Sequence, residues 1–111
     1  MEMRPRILKK YVTDDGNCPY DKWFDGIKDR RTQAIIATRL NRLIQGNFGH
    51  CRFLGEGLVE LKIDYGPGYR IYFSEDGKVL LVLFCGGNKS TQDSDIKKAR
   101  KMLKQHRTGE E

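Results

Sequence analysis

ELKIDYGPGYRIYF, residues Glu60–Phe73, alternates apolar and polar side chains on both sides of Gly66-Pro67-Gly68. A period of two marks a half-buried strand, so the stretch reads as two strands folded back at the glycines. Leu61, Ile63 and Tyr65 on the first arm, with Tyr69, Ile71 and Phe73 on the second, share the side that faces a core. Glu60, Lys62, Asp64, Arg70, Tyr72 and Ser74 point the other way. In a hairpin, Lys62, Arg70 and Tyr72 become direct or diagonal neighbours on one surface. A slip of one residue buries charges, which strongly specifies the register. That surface has two readings. One is a solvated face with a salt bridge from Glu60 or Asp64 to Arg70, worth about 0–1 kcal/mol. The other is a binding surface.

Working outward, period two continues from His50. Candidate strands are Cys51–Leu54, Leu58–Tyr65, Tyr69–Ser74 and Lys78–Cys85. Glu75-Asp76-Gly77 joins the last two as a tight hairpin. Lys78–Cys85 is apolar almost throughout, the mark of a central strand covered on both faces. Arg6–Thr13 is a short basic strand candidate, ended by the turn Asp14-Asp15-Gly16-Asn17. Pro19 suits the first turn of a helix. Tyr20, Trp23, Phe24 and Ile27 follow at i, i+3, i+4 and i+7, and Ile36, Leu40, Leu43 and Ile44 repeat the helical stripe after Asp29, a plausible N-cap. This predicts a helical hairpin, or one long kinked helix, from Tyr20 to Gln45. Ser90-Thr91-Gln92-Asp93 has the form of a capping box, and Ile96, Ala99, Met102 and Leu103 mark the inward stripe of a final helix. The tail from Arg107 to Glu111 is expected to fray. The layout is a single domain over residues 1–111: an α+β fold with helices gathered on one side of a mostly antiparallel sheet, in two layers that leave the other sheet face partly open.

Composition narrows the function. Charged residues make up 32% of the 111 residues, and the longest apolar run, Val79–Cys85, is too short for a bilayer. The first residues lack a signal-peptide pattern; a cytoplasmic location with no membrane partner is expected. The three cysteines, Cys18, Cys51 and Cys85, are unclustered, which suits neither a disulfide framework nor a metal cage. Neither cofactor nor metal is expected. The net charge of +6 favours a polyanionic partner. Arg30, Arg31, Arg39 and Arg42 suit ribosomal RNA, an acidic protein segment or plain solvation of a helix face. Gly86-Gly87-Asn88-Lys89-Ser90 leaves the apolar strand and enters the last helix, where free N–H groups favour an anion. It lacks the P-loop spacing, and an ordinary cap explains it equally.

Gly57–Phe73 (GLVELKIDYGPGYRIYF) followed by Leu80–Leu103 (LLVLFCGGNKSTQDSDIKKARKML) resembles the addiction-module killer proteins, the phage Gp49-like and HigB-like branch of the RelE/ParE toxin superfamily. GPGYR and GG-x-KSTQ-x-x-DI, at this separation, carry the likeness; the PYDKWFDGIKD start of the helical segment adds to it. The resemblance covers nearly the whole chain. It implies a RelE-like sheet of four or five strands, with an N-terminal helical hairpin on one face and a C-terminal helix. It implies the toxin of a type II toxin–antitoxin system, neutralised by a cognate antitoxin, often a helix-turn-helix protein, with operator DNA bound only through the pair.

Many relatives cut mRNA on the ribosome without a metal, using the substrate's 2′-OH as nucleophile. By the resemblance, Arg70 grips the scissile phosphate. Lys62 is a second phosphate contact or a proton-transfer group, and Lys89 binds phosphate or protonates the leaving oxygen. Tyr72 stacks on a base or orients the scissile nucleotide. Glu60 is either the base or the partner of Arg70. The chain departs from the best-understood toxins in having no histidine in or just after the last strand and no tyrosine in the tail; His50 is a further candidate for the groove. Two other readings stay open: a toxin of the same fold that acts on gyrase, and a non-catalytic module that docks its antitoxin.

Overall fold

Period two and period 3.6 divide the chain into strands and helices at nearly the expected places. The computed structural model describes residues 4–109. Its order is β1 (Ile7–Lys10), α1 (Pro19–Asp25), α2 (Arg30–Ile44), β2 (Cys51–Gly55), β3 (Leu58–Ile63), β4 (Tyr69–Asp76), β5 (Leu80–Asn88), a 3-10 turn (Lys89–Thr91) and α3 (Gln92–Thr108). Residues 110 and 111, part of the tail expected to fray, lie outside the described residues, while Arg107 and Thr108 are helical.

The quoted stretch forms the hairpin that its alternation requires. Lys62 pairs with Arg70, Glu60 with Tyr72 and Leu61 with Ile71. Gly66 and Gly68 take positive φ in the turn, which a Cβ would disfavour. The five strands make one α+β sheet in the order β1-β5-β4-β3-β2. β1 runs parallel to β5 and the other pairings are antiparallel, so the sheet is mixed. Leu61, Ile63, Ile71, Phe73, Leu81 and Leu83 pack on Tyr20, Ile36, Leu40 and Leu43 from α1 and α2. Asp29 caps α2 as expected, its side chain accepting from the Arg31 N–H. No helix among the described residues is long and apolar enough to cross a membrane.

The second face differs from the expectation. α3 does not join the other helices: Ala99 and Leu103, with Ile96 and Met102, pack on Leu58, Tyr72, Val82, Phe84 and Cys85 on the opposite side of the sheet. The architecture has three layers, with a second and smaller core. The physical reason lies in β5. Tyr72 faces Cys85 and Phe73 faces Leu83, which leaves Phe84 as the extra residue of a bulge. Phe84 and Cys85 thereby both turn toward α3, and their apolar surface needs a cover.

β5 also runs further than expected. Gly86 and Gly87 belong to the strand, opposite Ile71 and Arg70, and do not form a loop. Any Cβ on Gly86 would collide with the Trp23 ring, and one on Gly87 with the Asp95 carboxylate. The glycines are there to let α1 and the start of α3 approach the strand on its two faces. The cap falls on Asn88 and not on Ser90: the Asn88 side chain accepts from the Ser90 and Thr91 N–H groups, and the Asn88 N–H donates to the Thr91 hydroxyl.

Candidate functional site

α3 covers only part of its face of the sheet. Beyond its first turn, the row of side chains changes from apolar to charged, because the register sets Arg52 beside Glu60 and Glu60 beside Tyr72, with Lys62 beside Arg70 one row further. A groove of about 320 Å³ opens there, lined by Lys62, Asp64, Arg70, Lys89 and the Tyr65–Gly68 turn. Three cations thus meet from β3, β4 and the 3-10 turn.

Arg70 forms the floor of this groove. It is 5% exposed. Its Nη1 donates to the Gly68 carbonyl at 3.1 Å, and its Nε lies 3.7 Å from Glu60 Oε2, a Coulomb contact too long for a hydrogen bond. Nε has no hydrogen-bond partner among the described residues. Glu60, 2% exposed, has its oxygens otherwise occupied. Oε2 accepts from Tyr72 Oη at 3.1 Å and from Gln92 Nε2 at 2.9 Å, and Oε1 lies 3.2 Å from Arg52 Nε. A carboxylate so enclosed holds its neighbours in place. Lys62 stands at the rim, its side chain 38% exposed and 3.8 Å from Asp64 Oδ1, and Lys89 is exposed.

Tyr72 is the residue whose placement departs from the sequence reading. Expected on an open face to stack on a base, it is fully buried under α3. Burial first, then the Glu60 carboxylate, hold its phenol far above the ordinary range, so it stays protonated and donates. In this arrangement no base can reach its ring. Lys62, Arg70 and Lys89 are brought together as expected, with Glu60 directly behind them. Of the two acids named as partners for Arg70, Glu60 takes that place and Asp64 pairs with Lys62 instead. His50 lies on the neighbouring side of the turn, its Nδ1 3.5 Å from Asp64 Oδ2. It borders a second groove of about 550 Å³ between α2 and β3, with Arg39 and Arg42.

Arg52 and Gln92 escaped the sequence reading, whereas Asp64 lies on the face where its alternation put it. The signal for Arg52 was its alternation on β2, one strand beyond the hairpin. Gln92 lay inside the GG-x-KSTQ motif but read as part of a cap. Cys85, expected to be a small buried hydrophobe, is buried beside Tyr72; burial and then Asp95 push its thiol up to about 12, so it is no nucleophile at neutral pH.

No family model matches the chain. It is 47% identical over 81 residues, 73% of this chain and 82% of the other, to an uncharacterized protein of Haemophilus influenzae. The chain belongs to the same family as that protein.

Proposed function

We propose that this chain is the toxin of a type II toxin–antitoxin pair, a RelE/HigB-like endoribonuclease that cuts mRNA on translating ribosomes and acts in the cytoplasm. The observation that carries the proposal is the convergence of Lys62, Arg70 and Lys89 on one small groove, where a phosphate would meet three positive charges. The +6 net charge of the whole chain and the resemblance of the GPGYR and GG-x-KSTQ-x-x-DI segments support it. The proposal takes the three-layer frame as RelE-like, with α1 and α2 as its N-terminal helical pair. A cognate antitoxin is the expected partner, and operator DNA is bound only through that complex.

In the proposed reaction the 2′-OH of the substrate attacks the adjacent phosphorus. The 2′-O–P bond forms, the P–O5′ bond breaks, and the products are a 2′,3′-cyclic phosphate and a 5′-hydroxyl. Arg70 holds two non-bridging oxygens through its guanidinium fork and stabilises the charge that builds on the phosphorane. Its carboxylate partner lies on its Nε side, and the guanidinium lines the groove. Lys89 adds charge from the 3-10 turn that also lines the groove. Lys62 gives a proton to the departing 5′-oxygen, and Asp64, the carboxylate exposed at the rim, receives the 2′-OH proton. Glu60 takes no proton in this scheme. The ribosome supplies the in-line alignment, and orientation does much of the catalysis.

The test is induction in growing bacteria with primer extension on translated messages, beside Arg70→Ala and Lys62→Ala. New in-frame 5′ ends, lost in folded variants, are the expected result. Growth arrest with intact message overturns the proposal in favour of a gyrase-type target; neither arrest nor cuts, from an abundant folded chain, overturns it in favour of a docking module.

A further inference from the structure

Gln92 is the first residue of α3, yet its side chain crosses to the sheet and donates to a buried carboxylate that no residue of α3 was expected to touch. Its acceptor, Glu60 Oε2, also receives the Tyr72 hydroxyl. Two donors fill that oxygen, and this accounts for the stand-off of Arg70 Nε at 3.7 Å with its hydrogen-bonding capacity unused. If the Gln92 amide were absent, Glu60 Oε2 would be free to accept from Arg70 Nε directly, and the guanidinium would be drawn away from the groove toward the carboxylate.

We propose that Gln92 is a positioning residue for Arg70, acting through Glu60, and that the docking of α3 thereby sets the aim of the anion-binding fork. The geometry stands by itself; its consequence for cleavage rests on the endoribonuclease reading above. The charged and titratable groups around Glu60 are Arg52 from β2, Arg70 and Tyr72 from β4, and, near Tyr72, Asp95 from α3.

Gln92→Glu and Gln92→Leu separate positioning from mere packing. The readout is the side-chain Nε–Hε resonance of Arg70 in the ¹⁵N-labelled full chain, assigned by its loss in Arg70→Lys, with the backbone amide spectrum as the check on folding. Above the carboxylic-acid range, Gln92→Glu sets two carboxylates against each other, and the Arg70 resonance is expected to shift and exchange faster. As pH falls, the facing carboxylates together take up one proton, because two like charges at that distance disfavour the doubly ionised pair. That shared proton restores a hydrogen bond between residues 60 and 92 where the amide made one, and the resonance returns toward the wild-type position. Gln92→Leu stays shifted over the pH range in which Gln92→Glu recovers. Resonances that coincide with wild type in both variants, or a Gln92→Glu shift that ignores pH, overturn the proposal. Cleavage of a translated message in a purified system runs beside it. A fall of up to roughly 10²-fold in the variants, recovered by Gln92→Glu on acidification, agrees with positioning. A wild-type chain that does not cleave, with an Arg70 resonance that still follows Gln92, overturns the activity and keeps the positioning; variants that cleave as wild type does overturn the positioning.

Discussion

Tyr72 shows how a single hydroxyl can tie a core to a site. Its ring belongs to the apolar cluster under α3, while its oxygen donates to Glu60, the carboxylate 3.7 Å from Arg70 Nε. Tyr72→Phe keeps the packing and removes only the donor. A hydrogen bond to a charged group is worth about 1.5–3 kcal/mol, so the urea midpoint should fall by that equivalent with an unchanged m-value, the sign that stability and not compactness has altered. Arg70→Lys keeps the charge and loses the fork. If the fork matters, this variant should lose cleavage nearly as completely as Arg70→Ala while folding normally, as shown by its amide spectrum.

At the level of elements, what the sequence disclosed depended on whether a neighbour was local. The β3–β4 hairpin was legible because alternation and turn glycines lie within one stretch, and the register alone put Lys62 opposite Arg70. The α3 stripe was legible too, but a stripe says that a helix is buried, not on which face of a sheet. That choice was made by the Phe84 bulge, which is invisible in a run of apolar residues with no polar phase marker. For the same reason Tyr72 was read as exposed. Gln92 and Arg52 were not read as site residues, because alternation and motif place them near the hairpin but their contact with Glu60 exists only once α3 and β2 are in place. Gly86 and Gly87 looked like a loop because two glycines usually mark one. Their role in letting α1 and α3 approach makes a firm prediction: Gly86→Ala drives a methyl into the Trp23 ring and should destabilise by about 1–3 kcal/mol, the range for overpacking, seen as a lower denaturation midpoint.

Across the whole molecule, the two cores bury groups that ionise only in alkali. Burial, with Asp95 second, pushes the Cys85 thiol up to about 12, and burial pushes Cys51 up to about 11, from the ordinary 9.0. Burial likewise raises the Tyr20 and Tyr72 phenols. In each case the folded chain keeps a proton that the unfolded chain has released, so the stabilisation is complete below pH 9.0 and is lost as pH rises through the folded values. Thermal midpoints should therefore decline steadily above that pH, and Cys85→Ala should make the decline shallower. The parallel pairing of β1 with β5 acts on another axis, that of time. Ile7–Lys10 leaves the ribosome early, but its partner, Leu80–Leu83, is made only after almost all of the sheet. The antiparallel strands from β2 to β5 can zip through short turns as they emerge, whereas β1 must wait and then close nearly the entire chain as one loop. β1 is thus made before β2 to β5 but has no pairing partner until Leu80–Leu83 is made, and a chain interrupted before Leu80 would carry its site hairpin complete with basic β1 still unpaired.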